Sequence, residues 1–167
     1  MKISKEQFDL ICEIYIQWKE LNNNIKKFSS RGVNFPDCIS EPIVCYAFNY
    51  NWNNNNETGD ATSDSGELIE IKATSNFDSD LSSFSPNTNF DKLIFVRLDQ
   101  ERNLAYIYDL KLNFKQFQIL EVNKKETVLD QQKQNRRPRL SLIQYIEKNE
   151  IKSLYCVDFI KKIVTKN

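Results

Sequence analysis

The sequence predicts one α/β domain over residues 1–167. Three observations predict it. A chain of 167 residues with 40% apolar and 28% charged side chains can bury one core without staples. Apolar residues recur at three- and four-residue steps over 4–27, the period of a helix. They then alternate over 67–74 and gather into the run Leu93-Ile94-Phe95-Val96, which are strand patterns.

The elements follow in order. Ser4 and Gln7 have capping-box spacing, and Phe8, Ile11, Cys12, Tyr15, Trp18 and Ile25 line one face of a long first helix. Residues 29–32 read as a loop. Ser40 reads as the N-cap of a second helix, with Glu41 and Pro42 in its first turn and residues 43–50 continuing it. Residues 51–57 read as an Asn-rich loop. A short strand at 61–63, a turn at Asp64-Ser65-Gly66 and a strand over 67–74 make a hairpin. In that strand Ile69 and Ile71 face one way, Glu70 and Lys72 the other. Residues 76–89 read as a Ser/Asp/Asn loop, followed by strands at 93–96 and 104–110. Residues 124–139 are polar and end in Arg136-Arg137-Pro138-Arg139. Ser141 and Gln144 repeat the capping-box spacing and open a helix to about 148, and 156–164 is amphipathic, strand or helix.

Composition excludes several chemistries. The chain has no histidine, so triads, Cys–His dyads and imidazole-bound zinc are out. Three glycines, Gly32, Gly59 and Gly66, cannot form a phosphate-cradling glycine loop, and no nucleotide cofactor is expected. The cysteines Cys12, Cys38, Cys45 and Cys156 lack C-x-x-C spacing. Cys12 and Cys45 sit among apolar residues and read as core thiols of a reducing compartment. Residues 1–6 are charged, without the apolar run of a signal peptide, and no stretch is long enough to span a membrane. A cytoplasmic protein is expected.

The net charge of zero is unevenly spread. Residues 57–91 carry eight acidic groups and one base, Lys72, whereas residues 111–167 carry thirteen basic groups and six acidic ones. That division suits a metal site in the centre and a polyanion-contacting surface in the C-terminal third, although neutral proteins also have uneven surfaces.

The chemistry is densest at Gly59-Asp60 and Glu70-Ile71-Lys72. A hairpin partner can set Asp60 beside Glu70 and Lys72. Two converging carboxylates repel, and a divalent cation neutralises them; oxygen-only ligation, with the Ile71 carbonyl as a further ligand, favours Mg²⁺. Such an ion acidifies water, and Lys72 can offset charge gathering on a phosphorus under attack. The alternative is a solvated strand face bearing an ion pair. Asp64 is the other candidate for the first carboxylate, but it leaves too few residues before Glu70 for a hairpin.

The helix with Glu41, the hairpin with Asp60 and Glu70-Ile71-Lys72, and the buried strand after it resemble the PD-(D/E)xK nuclease superfamily. Arg31-Gly32-Val33-Asn34-Phe35-Pro36, Ser82-Ser83-Phe84-Ser85-Pro86, Phe90-Asp91-Lys92-Leu93 and Arg136-Arg137-Pro138-Arg139 are similar to type II restriction endonucleases, closest to the group cutting GC-N-GC. The resemblance covers most of 29–145. It implies a central mixed β-sheet flanked by helices, with a catalytic core at about 37–112 and a basic DNA-contacting part at about 113–167. It implies that Asp60 and Glu70 hold Mg²⁺, that Lys72 is the catalytic lysine and that Glu41 is an accessory carboxylate. For Glu41, complementing a helix dipole is the alternative. Gly59 replaces the proline that often precedes the Asp.

Ser82, Ser83, Ser85 and Asn87, in the loop after the 67–74 strand, and Arg136, Arg137 and Arg139 read as contacts to double-stranded DNA, with Arg31 and Asn34; the alternatives are an ordinary surface loop and a solvated charge run capping the next helix. Hydroxyls and amides suit phosphates or bases, and arginines suit guanine edges or phosphates. Asn34 also reads, with Phe35, as ordering the loop into the second helix. Cutting both strands at a near-palindromic site implies a homodimer. The alternatives are a structure-specific repair or junction nuclease, and a noncatalytic DNA-binding module. Trp18 reads as core, and Trp52 is open between packing and stacking on a base.

Overall fold

Helix α1 (Lys5–Lys26) begins at the expected cap: the Ser4 side chain accepts from Gln7 N, and the Gln7 side chain returns a bond to Ser4 N. The computed structural model describes residues 1–54 and 59–167. The face of α1 carrying Phe8, Ile11, Cys12, Tyr15 and Trp18 is buried, and Asn22 joins it. Asn22 Oδ1 accepts from Val33 N at 2.8 Å, which presses residues 31–33 against the helix. A Cβ on Gly32 would stand 2.0 Å from that oxygen, so a side chain there would push the Asn22 amide off Val33 N.

Helix α2 (Asp37–Phe48) starts three residues before the expected Ser40. Pro36, extended and fixed in φ, sets the start, and Pro42 is accommodated inside the helix. Ser40 is buried and its hydroxyl donates to the Pro36 carbonyl. Asn49, in the left-handed region, ends the helix before Tyr50.

Strands β1 (Asn51–Trp52), β2 (Ala61–Thr62) and β3 (Leu68–Thr74) follow. The expected loop at 51–57 is therefore strand at its start, and its residues 55–57 lie outside the described residues. Then come β4 (Ser82–Ser83), β5 (Lys92–Asp99) and β6 (Leu104–Asp109). The polar stretch after them carries more structure than its composition announces: α3 (Phe114–Gln118), β7 (Glu121–Asn123), β8 (Glu126–Thr127), α4 (Val128–Lys133) and β9 (Arg139–Leu140). Asn113/Gln116 and Thr127/Asp130 cap the two short helices reciprocally. Last are α5 (Leu142–Lys148), β10 (Tyr155–Asp158) and β11 (Ile163–Lys166). The open choice at 156–164 resolves as a hairpin.

Among the described residues the main sheet has seven strands in the order β1-β2-β3-β5-β6-β10-β11. Only β3 and β5 run parallel, so residues 75–91 must carry the chain back across one face. Ile69, Ile71, Ile94, Val96 and Leu98 face a core built with α1 and α2. Leu93, Phe95 and Tyr108 face a second core with Phe84, Phe90, Phe117 and Ile143. The sheet is thus mixed and flanked by helices, as the resemblance implied. Cys12 and Cys45 are buried thiols, as read, and Cys38 is exposed. Among the described residues no helix is long and apolar enough to cross a membrane.

Candidate functional site

Alternation along β3 decides where its charges go. Ile69 and Ile71 take the face toward α1 and α2, so Glu70 and Lys72 must take the other, in register with Leu93 and Phe95 of β5. Glu70 is only 8% exposed. A buried carboxylate is costly unless its oxygens are satisfied. Lys72 Nζ meets Oε1 at 2.6 Å and the Thr88 hydroxyl donates to Oε2 at 3.2 Å. Lys72 Nζ also lies 5.4 Å from the centre of the Phe84 ring. The strand face is therefore not solvated, and the pair runs along one strand rather than across two. Burial works against the charge on Lys72, but Glu70 beside it, with Asp60 and Asp37, outweighs burial and holds the ammonium above its ordinary value.

Asp60 enters from the residue before β2. Its N–H donates to the Ile69 carbonyl at 3.0 Å, and its Oδ2 accepts from Ile71 N at 2.6 Å. In a strand the N–H and C=O of one residue point to the same side, so the Ile71 carbonyl faces the edge that Asp60 occupies. Gly59 sits at φ +79°, a conformation closed to proline. The replacement of proline before the Asp thus accompanies a different backbone turn. Burial, then the charge of Glu70, pushes Asp60 up to about 6, against the pull of the Ile71 N–H and Lys72. Asp64 points away and pairs with Lys2 at 2.6 Å.

Glu41 lies in the second turn of α2, because the helix starts at Asp37. That weakens the dipole account of it. Its Oε2 accepts from the Trp52 indole N–H at 2.7 Å. Burial raises its pKa to about 7; Trp52 pulls down, while Asp60 and Asp37 push up. Trp52 is thereby placed: it holds a carboxylate. Trp18 is buried, and its N–H donates to the Asn34 carbonyl.

These groups present hard oxygen donors beside one ammonium. Among the described residues no trio of Asp, Glu, His or Cys is gathered to hold a metal ion by itself. Two carboxylates and a carbonyl fit a cation that keeps water and takes phosphate oxygens in its remaining positions, which is the habit of Mg²⁺.

The residues assigned to DNA fall in two places. Arg31 and Asn34 are exposed between α1 and α2. The serine loop and the arginine segment come together, because β4 pairs with β9: Ser82 is opposite Leu140 and Ser83 opposite Arg139. Asp80 locks the junction, accepting from Ser82 Oγ, Ser141 Oγ, Leu142 N and Ile143 N at 2.8–3.0 Å. Ser82 is buried with its hydroxyl so engaged, and Arg136 pairs with Glu126 at 2.7 Å. Ser85, Asn87, Arg137 and Arg139 are exposed, and Ser83 is half-buried. Sequence reasoning missed Thr88, Asp37 and Asp80. Thr88 is one of many hydroxyls in its loop, and nothing in the sequence marks it as the partner of Glu70.

Residues 3–149 match the family model described as Bsp6I restriction endonuclease. The type II restriction enzyme Bsp6I of Bacillus sp. (strain RFL6) is 44% identical over 167 residues, covering 98% of this chain and 95% of that protein.

Proposed function

Because the chain belongs to the Bsp6I restriction endonuclease family, we propose that it cuts double-stranded DNA at GC-N-GC, as a homodimer, with Mg²⁺ held by Asp60, Glu70 and the Ile71 carbonyl. That it is a type II site-specific deoxyribonuclease follows from the family itself. The metal assignment is carried by one observation: Asp60, just before β2, sets its carboxylate on the N–H of Ile71, the residue between the paired Glu70 and Lys72.

Held by these residues, a magnesium ion would supply Lewis acidity to a phosphate oxygen and to a water. The residues supply the rest. The Ile71 N–H fixes the Asp60 carboxylate. Thr88 fixes one oxygen of Glu70 and leaves the other toward Lys72. Lys72 brings a cation, protonated well above neutrality, to the negative charge that builds on the phosphoryl oxygens. Glu41, titrating near neutrality and held by Trp52, can take or give a proton beside that charge. Ser83, Ser85, Asn87, Arg137 and Arg139, with Arg31 and Asn34, form the DNA-contacting set; Ser82 and Arg136 support it. The cytoplasm, reducing and rich in DNA, is the compartment, and the free cysteines suit it.

The test is cleavage of plasmid DNA of known sequence. With Mg²⁺, discrete fragments ending at GC-N-GC are expected; EDTA or Asp60→Asn should abolish them. Fragments ending at another sequence would overturn the site, a smear would overturn sequence-specific cutting, and intact DNA would overturn the nuclease reading.

A further inference from the structure

Helix α1 has a second apolar line besides the buried one. Leu10, Ile14, Gln17, Leu21, Asn24 and Phe28 follow one another at three- and four-residue steps, the spacing of a helix–helix seam. All six are exposed, Leu10 by 55%, Leu21 by 53% and Phe28 by 83%. Phe28 lies just past the helix, but its N–H donates to the Ile25 carbonyl at 3.1 Å, so the last turn carries it in line. A line of four large apolar side chains about 27 Å long is more than a monomer leaves in water without use.

We propose that this line is the surface through which two copies of the chain pair, antiparallel, about a two-fold axis midway along it. The proposal rests on the dimeric reading above and names its surface. Read backwards, the line matches itself: Leu10 meets the partner's Phe28, Ile14 the partner's Asn24 and Gln17 the partner's Leu21. Every layer then holds at least one large apolar side chain, and the two amides fix the register. Charge selects the antiparallel sense. The row flanking the line is Glu13, Glu20 and Lys27. Antiparallel pairing sets Glu13, which already meets Lys162 at 2.6 Å, against the partner's Lys27, whose ammonium donates to Asn24 Oδ1 within its own chain, twice over, whereas parallel pairing gathers the basic ends, Lys26, Lys27 and Arg31, together. One repulsion remains, Glu20 facing the partner's Glu20 at the axis. A second copy is also what the chemistry lacks, since each chain carries one Glu70–Lys72 site and a duplex has two strands.

Sedimentation of the full chain at micromolar concentration, with and without a GC-N-GC duplex in EDTA, tests this. Wild type should sediment as a dimer. Leu10→Glu with Leu21→Glu should weaken self-association by about a hundredfold or more. Both positions are exposed, so the circular dichroism spectrum should stay that of the wild type. Glu20→Gln should tighten the dimer several-fold. A dimer that survives the double substitution and ignores Glu20→Gln overturns the surface and leaves the dimeric reading standing. A wild-type chain that is monomeric free and on DNA overturns both. Loss of DNA affinity without any change in association would assign the line to DNA and overturn the proposal.

Discussion

Glu70 and Lys72, two residues apart on β3, form an ion pair of 2.6 Å on a strand face withdrawn from water, their side chains 11% and 25% exposed. The pair lies between a hydroxyl, Thr88, and an aromatic ring, Phe84. Neither partner can be changed without exposing the other to an environment that does not solvate it.

Lys72→Ala should lower the cleavage rate by about a thousandfold, since it removes the cation placed for developing phosphoryl charge. Affinity for duplex DNA in EDTA should stay within about threefold of wild type. Single-turnover cleavage and fluorescence anisotropy on the same duplex separate the two. A parallel fall in both would place Lys72 in binding instead.

The carboxylates set a pH window. Asp60 is raised from 3.8 to about 6 and Glu41 from 4.5 to about 7, each first by burial. The folded chain therefore holds protons that the unfolded chain has released, and stability falls as pH rises through these values. In EDTA the melting temperature should be lower at pH 8 than at pH 5, and Asp60→Asn with Glu41→Gln should flatten the difference. Glu126, drawn down to about 2 chiefly by hydrogen bonds from Asn123, Gln131 and Arg136, titrates well below the window. With Mg²⁺ the dependence reverses, because the ligand must be ionised: cleavage should rise between pH 6 and 7.

Trp52→Phe removes the N–H on Glu41 and keeps the ring. The cost should be about 1–3 kcal/mol in urea unfolding, the penalty of an inward carboxylate left without a donor. The indole N–H also lowers the Glu41 value, so the acid limb of the cleavage profile should move to higher pH. An unmoved limb would show that Glu41 takes no part in the reaction.

Salt dependence distinguishes the arginines. Arg137→Ala and Arg139→Ala should each reduce the slope of log affinity against log salt by about 1. Arg136→Ala should change it less, since that side chain is already paired with Glu126. Equal effects from all three would mean that DNA draws Arg136 off its partner.

The centre of the site is readable in the sequence for a physical reason. A period-two strand next to Asp64-Ser65-Gly66 fixes which face Glu70 and Lys72 share, and hairpin length selects Asp60 over Asp64. Long-range partners leave no such trace. Thr88 reaches Glu70 from a loop, and Trp52 reaches Glu41 from a two-residue strand. Boundaries slip where a local signal has a rival: Ser40 has the chemistry of a cap, but Pro36 comes first and starts α2. The hairpin of β10 and β11 turns through Lys162 at φ 54°, so no glycine announces it. Short capped helices escape notice at 111–139 because so few of their residues are apolar.

Two neighbouring strands that run the same way oblige the chain to make a long return journey. Here that journey is residues 75–91, and it supplies the roof over β3, through Phe84 and Thr88, as well as the serines that lie against Arg139. On the function proposed above, contact with DNA and the covering of the Glu70–Lys72 pair thereby fall to one stretch of polypeptide. On that proposal, a substitution among these serines would act within a few residues of the side chains that enclose the Glu70–Lys72 pair.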